Sequence, residues 1–415
     1  MFWPCVQAAP LITQRVSVNS KGIQGNDASN YVTSVSATGR WVAFMSIASN
    51  LVAHDTNDVA DIFVRDRYTK KTKRVSVNSK GVQADNANYY ASISANGRWV
   101  AFMSSAVNLV TDDNNDAEDI FVRDCKTGKT ERISVDYKGL EANNGSDTLS
   151  ISADGRWVTF SSMASNLVAD DANGTWDIFV HDRKTGKTER VSVNSAGAEA
   201  NGGSHNPSIS SDGRWVAFVS EASNLIADDT NNVNDVFVYD RETGKTKRLS
   251  IDSQEQEANN NSDYTSISAD GRWVAFDSRA SNLVADDTNG SLDTFVHDLK
   301  TGKTERVSVD SAGIEGNSSS GYPSISASGR WVAFGSNANL VSNDINGTLD
   351  IFIHDREKGT TRRVSVNSGG HEANGQSLAP AMSANGRRVA FESDASNLVK
   401  KDSNGSTDIF VKKLW

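Results

Sequence analysis

The chain has 415 residues, 31 of them glycine and only 5 proline, and a formal net charge of −10. That balance argues against a nucleic-acid partner, since composition leaves no broad basic surface to neutralise phosphates, and no run approaches the roughly 20 apolar residues of a membrane helix. A chain of this length buries about three quarters of its unfolded surface without help from disulfides or metal.

In chain order, residues 1–12 (M-F-W-P-C-V-Q-A-A-P-L-I) are apolar, lack a basic n-region and are short for a secretory signal, so they read as the remnant of one. Cys5 lies in this segment and Cys125 at a hairpin, which is no disulfide framework. Residues 13–18 (T-Q-R-V-S-V) form an isolated strand. After it a unit repeats: the glycine of a Gly-Arg pair falls at Gly39, Gly97, Gly155, Gly213, Gly271, Gly329 and Gly386, spaced by 58 residues five times and 57 once. Repetition at such a period takes precedence over length in setting the domain count, and residues 13–415 read as one domain.

The fifth unit shows the pattern. Residues 265–268 form a short strand, Ala269-Asp270-Gly271 a tight turn, 272–277 a second strand, 293–298 a third, 300–303 another tight turn and 304–309 a fourth. No helical period of 3.6 appears. Trp273, Val274, Ala275 and Phe276 are apolar without alternation, as a strand packed on both faces requires. Tryptophan opens that strand in six units, and Arg388 takes its place in the seventh. Repeated four-stranded antiparallel units predict a seven-bladed β-propeller. The last unit stops after its third strand at Ile409-Phe410-Val411, so residues 13–18 are expected to supply its fourth, closing the ring and covering an open edge.

The run S-I-S-A-D-G-R-W-V-A-F, followed by D-I-F-V-x-D and K-T-x-R-V-S-V, resembles the WD40-like (PD40) propeller repeat of bacterial TolB-type proteins over residues 13–413. The resemblance implies the propeller fold and a periplasmic or extracellular setting. It leaves activity open, because such propellers include scaffolds, peptidase-associated domains and carbohydrate-active lyases. No α/β-hydrolase segment with a G-x-S-x-G elbow follows the repeats.

The second-to-third and fourth-to-first connections are long and emerge on one face, where binding sites usually sit. The former carries D-x-N-[G/N/D]-x-x-D in every unit: Asp55, Asn57, Asp61; Asp113, Asn115, Asp119; Asp171, Asn173, Asp177; Asp229, Asn231, Asp235; Asp287, Asn289, Asp293; Asp344, Asn346, Asp350; Asp402, Asn404, Asp408. The spacing echoes part of an EF-hand-type loop and suggests Ca²⁺. The match is partial: Ala53, Thr111, Ala169, Ala227, Ala285, Ser342 or Lys400 fills the first ligand position. A metal-free Asx-turn is the alternative. The fourth-to-first loop carries a companion pattern, as in Glu199-Ala200-Asn201 with Ser204 and Glu315-Gly316-Asn317 with Ser320, suited to sugars or to tying blades together.

Residues that break the symmetry speak to specificity. Tyr31, Tyr89, Asp147, His205, Asp263, Gly321 and Leu378 are expected to ring the channel mouth, with Glu221, Asp277 and Arg279 nearby. Asp147, His205 and Asp263 make a candidate general base or metal site. His181, His297 and His354 share a position with Arg65, Arg123 and Tyr239 and read as a solvated blade edge. Trp176 is a candidate stacking platform or a local packing residue. The loop face is expected to be acidic and the turn face basic, the latter through residues such as Arg183, Lys184, Lys187 and Arg190. Two main functions fit: a non-catalytic, monomeric binding or scaffold propeller presenting a calcium-stabilised loop face to a protein or glycan, or a lyase-like carbohydrate-active enzyme working around His205. A purely structural ring is the third reading.

Overall fold

The computed structural model describes residues 11–415, apart from the side chains at 31 and 32, so Cys5 and most of the N-terminal segment lie outside the described residues. Seven four-stranded antiparallel sheets follow one another. The first strands of blades 1 to 7 are Ser29–Val35, Asn88–Ile93, Ser146–Ile151, Ser204–Ile209, Ser262–Ile267, Ser320–Ile325 and Ser377–Met382. The ring closes as expected: Thr13–Arg15 pairs with Asp408–Lys413 as the fourth strand of blade 7, with Thr13 opposite Lys412 and Arg15 opposite Phe410. The Lys412 ammonium donates to Thr13 Oγ1 at 3.0 Å and to the Leu11 carbonyl at 2.9 Å.

The blade core is the doubly buried second strand packed on the third. In blade 5, Phe276 and Phe295 are fully buried, with ring centroids 5.9 Å apart. Burying a phenylalanine stabilises by about 1.5–3 kcal/mol, and each blade repeats the pair. Strand ends differ from the sequence expectation. The first strand of blade 5 begins at Ser262 rather than 265, because a bulge after Asp263 interrupts its alternation. The fourth ends at Arg306, and Val309 instead bridges Glu315 of the following loop.

The repeated serines explain how neighbouring blades register. Ser208 Oγ accepts the Ile267 amide of the next blade at 3.2 Å, and Ser266 Oγ accepts that of Ile325 at 3.1 Å. The second serine of S-I-S binds its own turn: Trp273 N donates to Ser268 Oγ at 2.9 Å. Two belts of main-chain hydrogen bonds join the blades. On the turn face, Ala95 N reaches Ala153 O at 3.0 Å, and the series returns to its start through Asn385 N to Ala37 O at 3.1 Å. On the loop face, Ser204 N meets Trp176 O and Ser262 N meets Asn234 O, both at 2.8 Å. Gly271 has φ of 75°, and a Cβ there would overlap the indole of Trp215 from the preceding blade, which fixes glycine at this turn.

Candidate functional site

Every second-to-third loop is tied to the following fourth strand by an arginine. In blade 5, Arg306 Nη1 lies 3.6 Å from Asp287, 3.7 Å from Asp293 and 2.7 Å from Glu315. Arg74, Arg132, Arg190, Arg248 and Arg363 repeat the contact to Asp55 and Asp61, Asp113 and Asp119, Asp171 and Asp177, Asp229 and Asp235, and Asp344 and Asp350. In blade 7 the closing strand supplies Arg15 to Asp402 and Asp408, so this clasp also fastens the ring. The companion pattern's glutamate completes five clusters, and Gln83 and Gln24 stand in for it at the other two.

The asparagine keeps the geometry of a turn. Asn289 Oδ1 accepts the Ser291 amide at 2.6 Å, while its Nδ2 donates to Asp293 at 2.8 Å and to the Gly316 carbonyl at 2.9 Å. Asn57, Asn115, Asn173, Asn231 and Asn346 likewise turn a donor toward the aspartate, and Asn404 donates to the Gly25 carbonyl. Three clusters (Asp113, Asp119, Glu141; Asp287, Asp293, Glu315; Asp344, Asp350, Glu372) place ligand atoms within 4.8 Å of one another, a size that suits a metal ion. In each, however, the arginine already lies among those oxygens, and the asparagine offers hydrogens rather than its oxygen. Burial and the neighbouring aspartate push Asp113, Asp171 and Asp344 up to about 6.

At the channel mouth the bulge in each first strand decides which residue faces the axis. Tyr90, Asn206, Tyr264, Tyr322 and Ala379 have φ between 42° and 55° and, with Thr148, line a hollow of about 460 Å³. Left-handed backbone at bulky residues costs energy and persists only where surrounding structure imposes it. The residues expected there stand one position earlier. Tyr89, Asp147, His205, Asp263, Gly321 and Leu378 pair directly with the second strand, and of these only Leu378 lines the hollow. In blade 1 the equivalent residue is Asn30 rather than Tyr31, because that strand has seven residues where the others have six.

These six sit at blade junctions, beside the residue that ends the preceding second-to-third loop. The Trp176 ring lies 6.0 Å from that of His205, the Asn234 amide hydrogen-bonds Asp263, and Glu118 faces Asp147. Burial raises Asp147 and Asp263, and the Thr148 amide donates to Asp147 at 2.6 Å. Among the described residues no hydrogen bond or ion pair joins His205 to either carboxylate. Asp277, fully buried behind the mouth, is pushed up to about 7 by desolvation; its Oδ2 accepts the Tyr322 amide at 3.0 Å and its Oδ1 has no partner among the described residues. The rings of Tyr264 and Tyr322 approach to 4.5 Å.

Two expectations are corrected. His181, His297 and His354 are not on a solvated edge: each is buried, with Nδ1 on Thr188, Thr304 or Thr361 at 2.8–2.9 Å. Burial lowers His181 and His297 to about 4. Arg190 does not belong to the basic turn face, since it reaches Asp171 and Asp177 at the loop end of its strand. One guanidinium thus offsets part of the charge of the two or three carboxylates in each loop cluster.

No family model and no curated protein matches the chain. Several solved structures are similar to it. An oligogalacturonate lyase from Vibrio parahaemolyticus is 12% identical at a TM-score of 0.56, covering 98% of both chains. An oligogalacturonate lyase in complex with manganese is 11% identical at 0.57, covering 98% of this chain and 97% of that one. The β-propeller domain of the Trilobed protease from Pyrococcus furiosus, described as having an open velcro topology, is 12% identical at 0.55, covering 94% of both. At these identities the likeness establishes the propeller fold alone.

Proposed function

We propose that this chain is an exported, non-catalytic binding propeller that takes a glycan at the loop-face mouth of its channel. The observation that carries the reading is the 460 Å³ hollow lined by Tyr90, Tyr264 and Tyr322 together with Asn30, Asn206 and Thr148. Flat aromatic faces beside amide and hydroxyl groups on a rigid ring suit the alternating apolar and polar surfaces of a sugar. The carboxylates of Glu392 in the lining and of Asp147 and Asp263 at the neighbouring blade junctions disfavour a polyanionic ligand, so neutral oligosaccharides are the favoured class. The lyase-like alternative needs His205 engaged as a base and a cationic subsite for a uronate, and Asp147, His205 and Asp263 are not tied to one another by hydrogen bonds. Calcium would compete with the clasp arginines for the same oxygens, and in this proposal the guanidinium is the resident cation of each loop.

Titration calorimetry with a panel of neutral and uronic oligosaccharides tests the proposal. Neutral members should bind, and Tyr264→Ala or Tyr322→Ala should weaken them at least about tenfold, the equivalent of roughly 1.4 kcal/mol. Turnover of a uronic oligosaccharide that disappears in both His205→Ala and Asp147→Ala would overturn it in favour of the lyase reading.

A further inference from the structure

On the face opposite the loops, an arginine following the third strand covers the indole of the preceding blade. Arg183, Arg241 and Arg356 stand 3.8 Å from the ring centres of Trp99, Trp157 and Trp273. Each pairs with a glutamate on that blade's fourth strand: Glu131, Glu189 and Glu305 respectively. Between blades 1 and 2 both partners are exchanged together, with Cys125 at the arginine position and Lys73 at the glutamate position. Among the described residues, Trp41 keeps only Arg40 of its own blade, 4.7 Å from its centre.

The missing guanidinium leaves a hollow of about 390 Å³ whose lining includes Trp41, Cys125, Lys71, Lys73 and Lys126. The molecule supplies its own control at the junction of blades 4 and 5. There the same positions are Lys247 and Leu299, and the bulkier Leu299 packs with Trp215 against the core, as the small Cys125 does with Trp41. The smaller Cys125 side chain leaves the hollow open beside it, and burial pushes its thiol up to about 11, which keeps it neutral. The one carboxylate on the wall, Asp66, is held by Arg40 through two hydrogen bonds of 2.9 and 2.7 Å. Lys71, Lys73 and Lys126 are exposed, and their ammonium groups have no partner among the described residues.

We infer that this hollow is a binding site for a planar aromatic anion. Its ring lies on the Trp41 face that an arginine covers elsewhere, and its carboxylate or phosphate sits among Lys71, Lys73 and Lys126. A cation would suit the indole but not the lysines, whereas a ring bearing an anion satisfies both. The site is on the opposite face from the channel mouth and stands independently of the glycan reading.

The test uses the full chain and the double variant Cys125→Arg with Lys73→Glu. That variant rebuilds the clasp present at three other junctions, so it should fold and melt no lower than the parent. Naphthoate, adenosine monophosphate and naphthylmethylammonium are titrated into both. The parent should bind naphthoate or the nucleotide and not the ammonium, and the rebuilt variant should bind at least about tenfold more weakly, the loss expected when one stacked, charge-matched contact is removed. Naphthoate binding alone identifies a small aromatic acid as the ligand, and nucleotide binding identifies a phosphate. Failure of both anions to bind the parent, equal binding of the ammonium, or undiminished binding by a folded rebuilt variant would overturn the inference.

Discussion

Replacing Arg306 with methionine withdraws the cation from the blade 5 loop while keeping most of the side chain's packing. The guanidinium is nearly buried, with 8% of its side chain exposed, and Asp293 beside it is wholly buried. Removing one member of a buried charge cluster leaves the others uncompensated, at about 3–5 kcal/mol. Protonation relieves part of this. Asp287 and Asp293 are already raised by burial, and Arg306 is a factor that holds them down. A carboxylate raised above its unfolded value stabilises below that value and loses the contribution as pH rises through the folded one. The variant should therefore be most destabilised at alkaline pH and recover on acidification. Urea unfolding with and without Ca²⁺ is the assay. In the variant, Asp287, Asp293 and Glu315 are free to take the ion, and Ca²⁺ at about 100 times its Kd would restore about 2.7 kcal/mol. The parent should gain little. A parent stabilised by Ca²⁺ as much as the variant, or a variant indistinguishable from the parent at every pH, would refute the view that arginine is the resident cation.

Three further outcomes follow from the fold. His297 is held at about 4, below its ordinary 6.5, so its contribution is complete above 6.5 and is lost as pH falls toward 4; His297→Tyr, the residue blade 4 carries as Tyr239, should lose roughly 2–3 kcal/mol less on acidification over that range, as urea midpoints would register. Deleting residues 1–18 removes the pairing of Thr13–Arg15 with blade 7 and the Arg15 clasp, and should give a lower melting temperature and proteolysis confined at first to blade 7; an unchanged melting temperature would sink the closure. Gly213→Ala forces a Cβ into Trp157 at φ of 77°, whereas Gly290→Ala has φ of 61° and open space, so the first should cost about 2–4 kcal/mol and the second about 1 by chemical denaturation.

The period, blade count and closure were legible because they rest on local signals: turn glycines, the W-V-A-F run, and a fourth-strand sequence stranded at the start of the chain. The clasp was hidden in plain sight. Arg190 stands close after a basic hairpin and so read as turn-face charge, yet four extended residues span about 13 Å and carry it to the loop end of the blade. The asparagines read as ligands because spacing does not reveal which end of an amide faces a carboxylate. The channel lining was misplaced by one residue in blades 2 to 6, because a bulge at tyrosine, threonine or asparagine has no composition signature of the kind glycine gives. His181, His297 and His354 look polar in sequence, but each is enclosed between its own blade's fourth strand and the chain of the preceding blade: Thr188, which pairs with and holds His181, also donates to the Val135 carbonyl there.

The most direct test of the account is the position of a bound sugar. A crystal of the chain soaked with the tightest neutral oligosaccharide should show it in the channel mouth, stacked on Tyr264 and Tyr322. Sugar density on the outer loops beside Asp287 and Glu315, with the mouth empty, would contradict it.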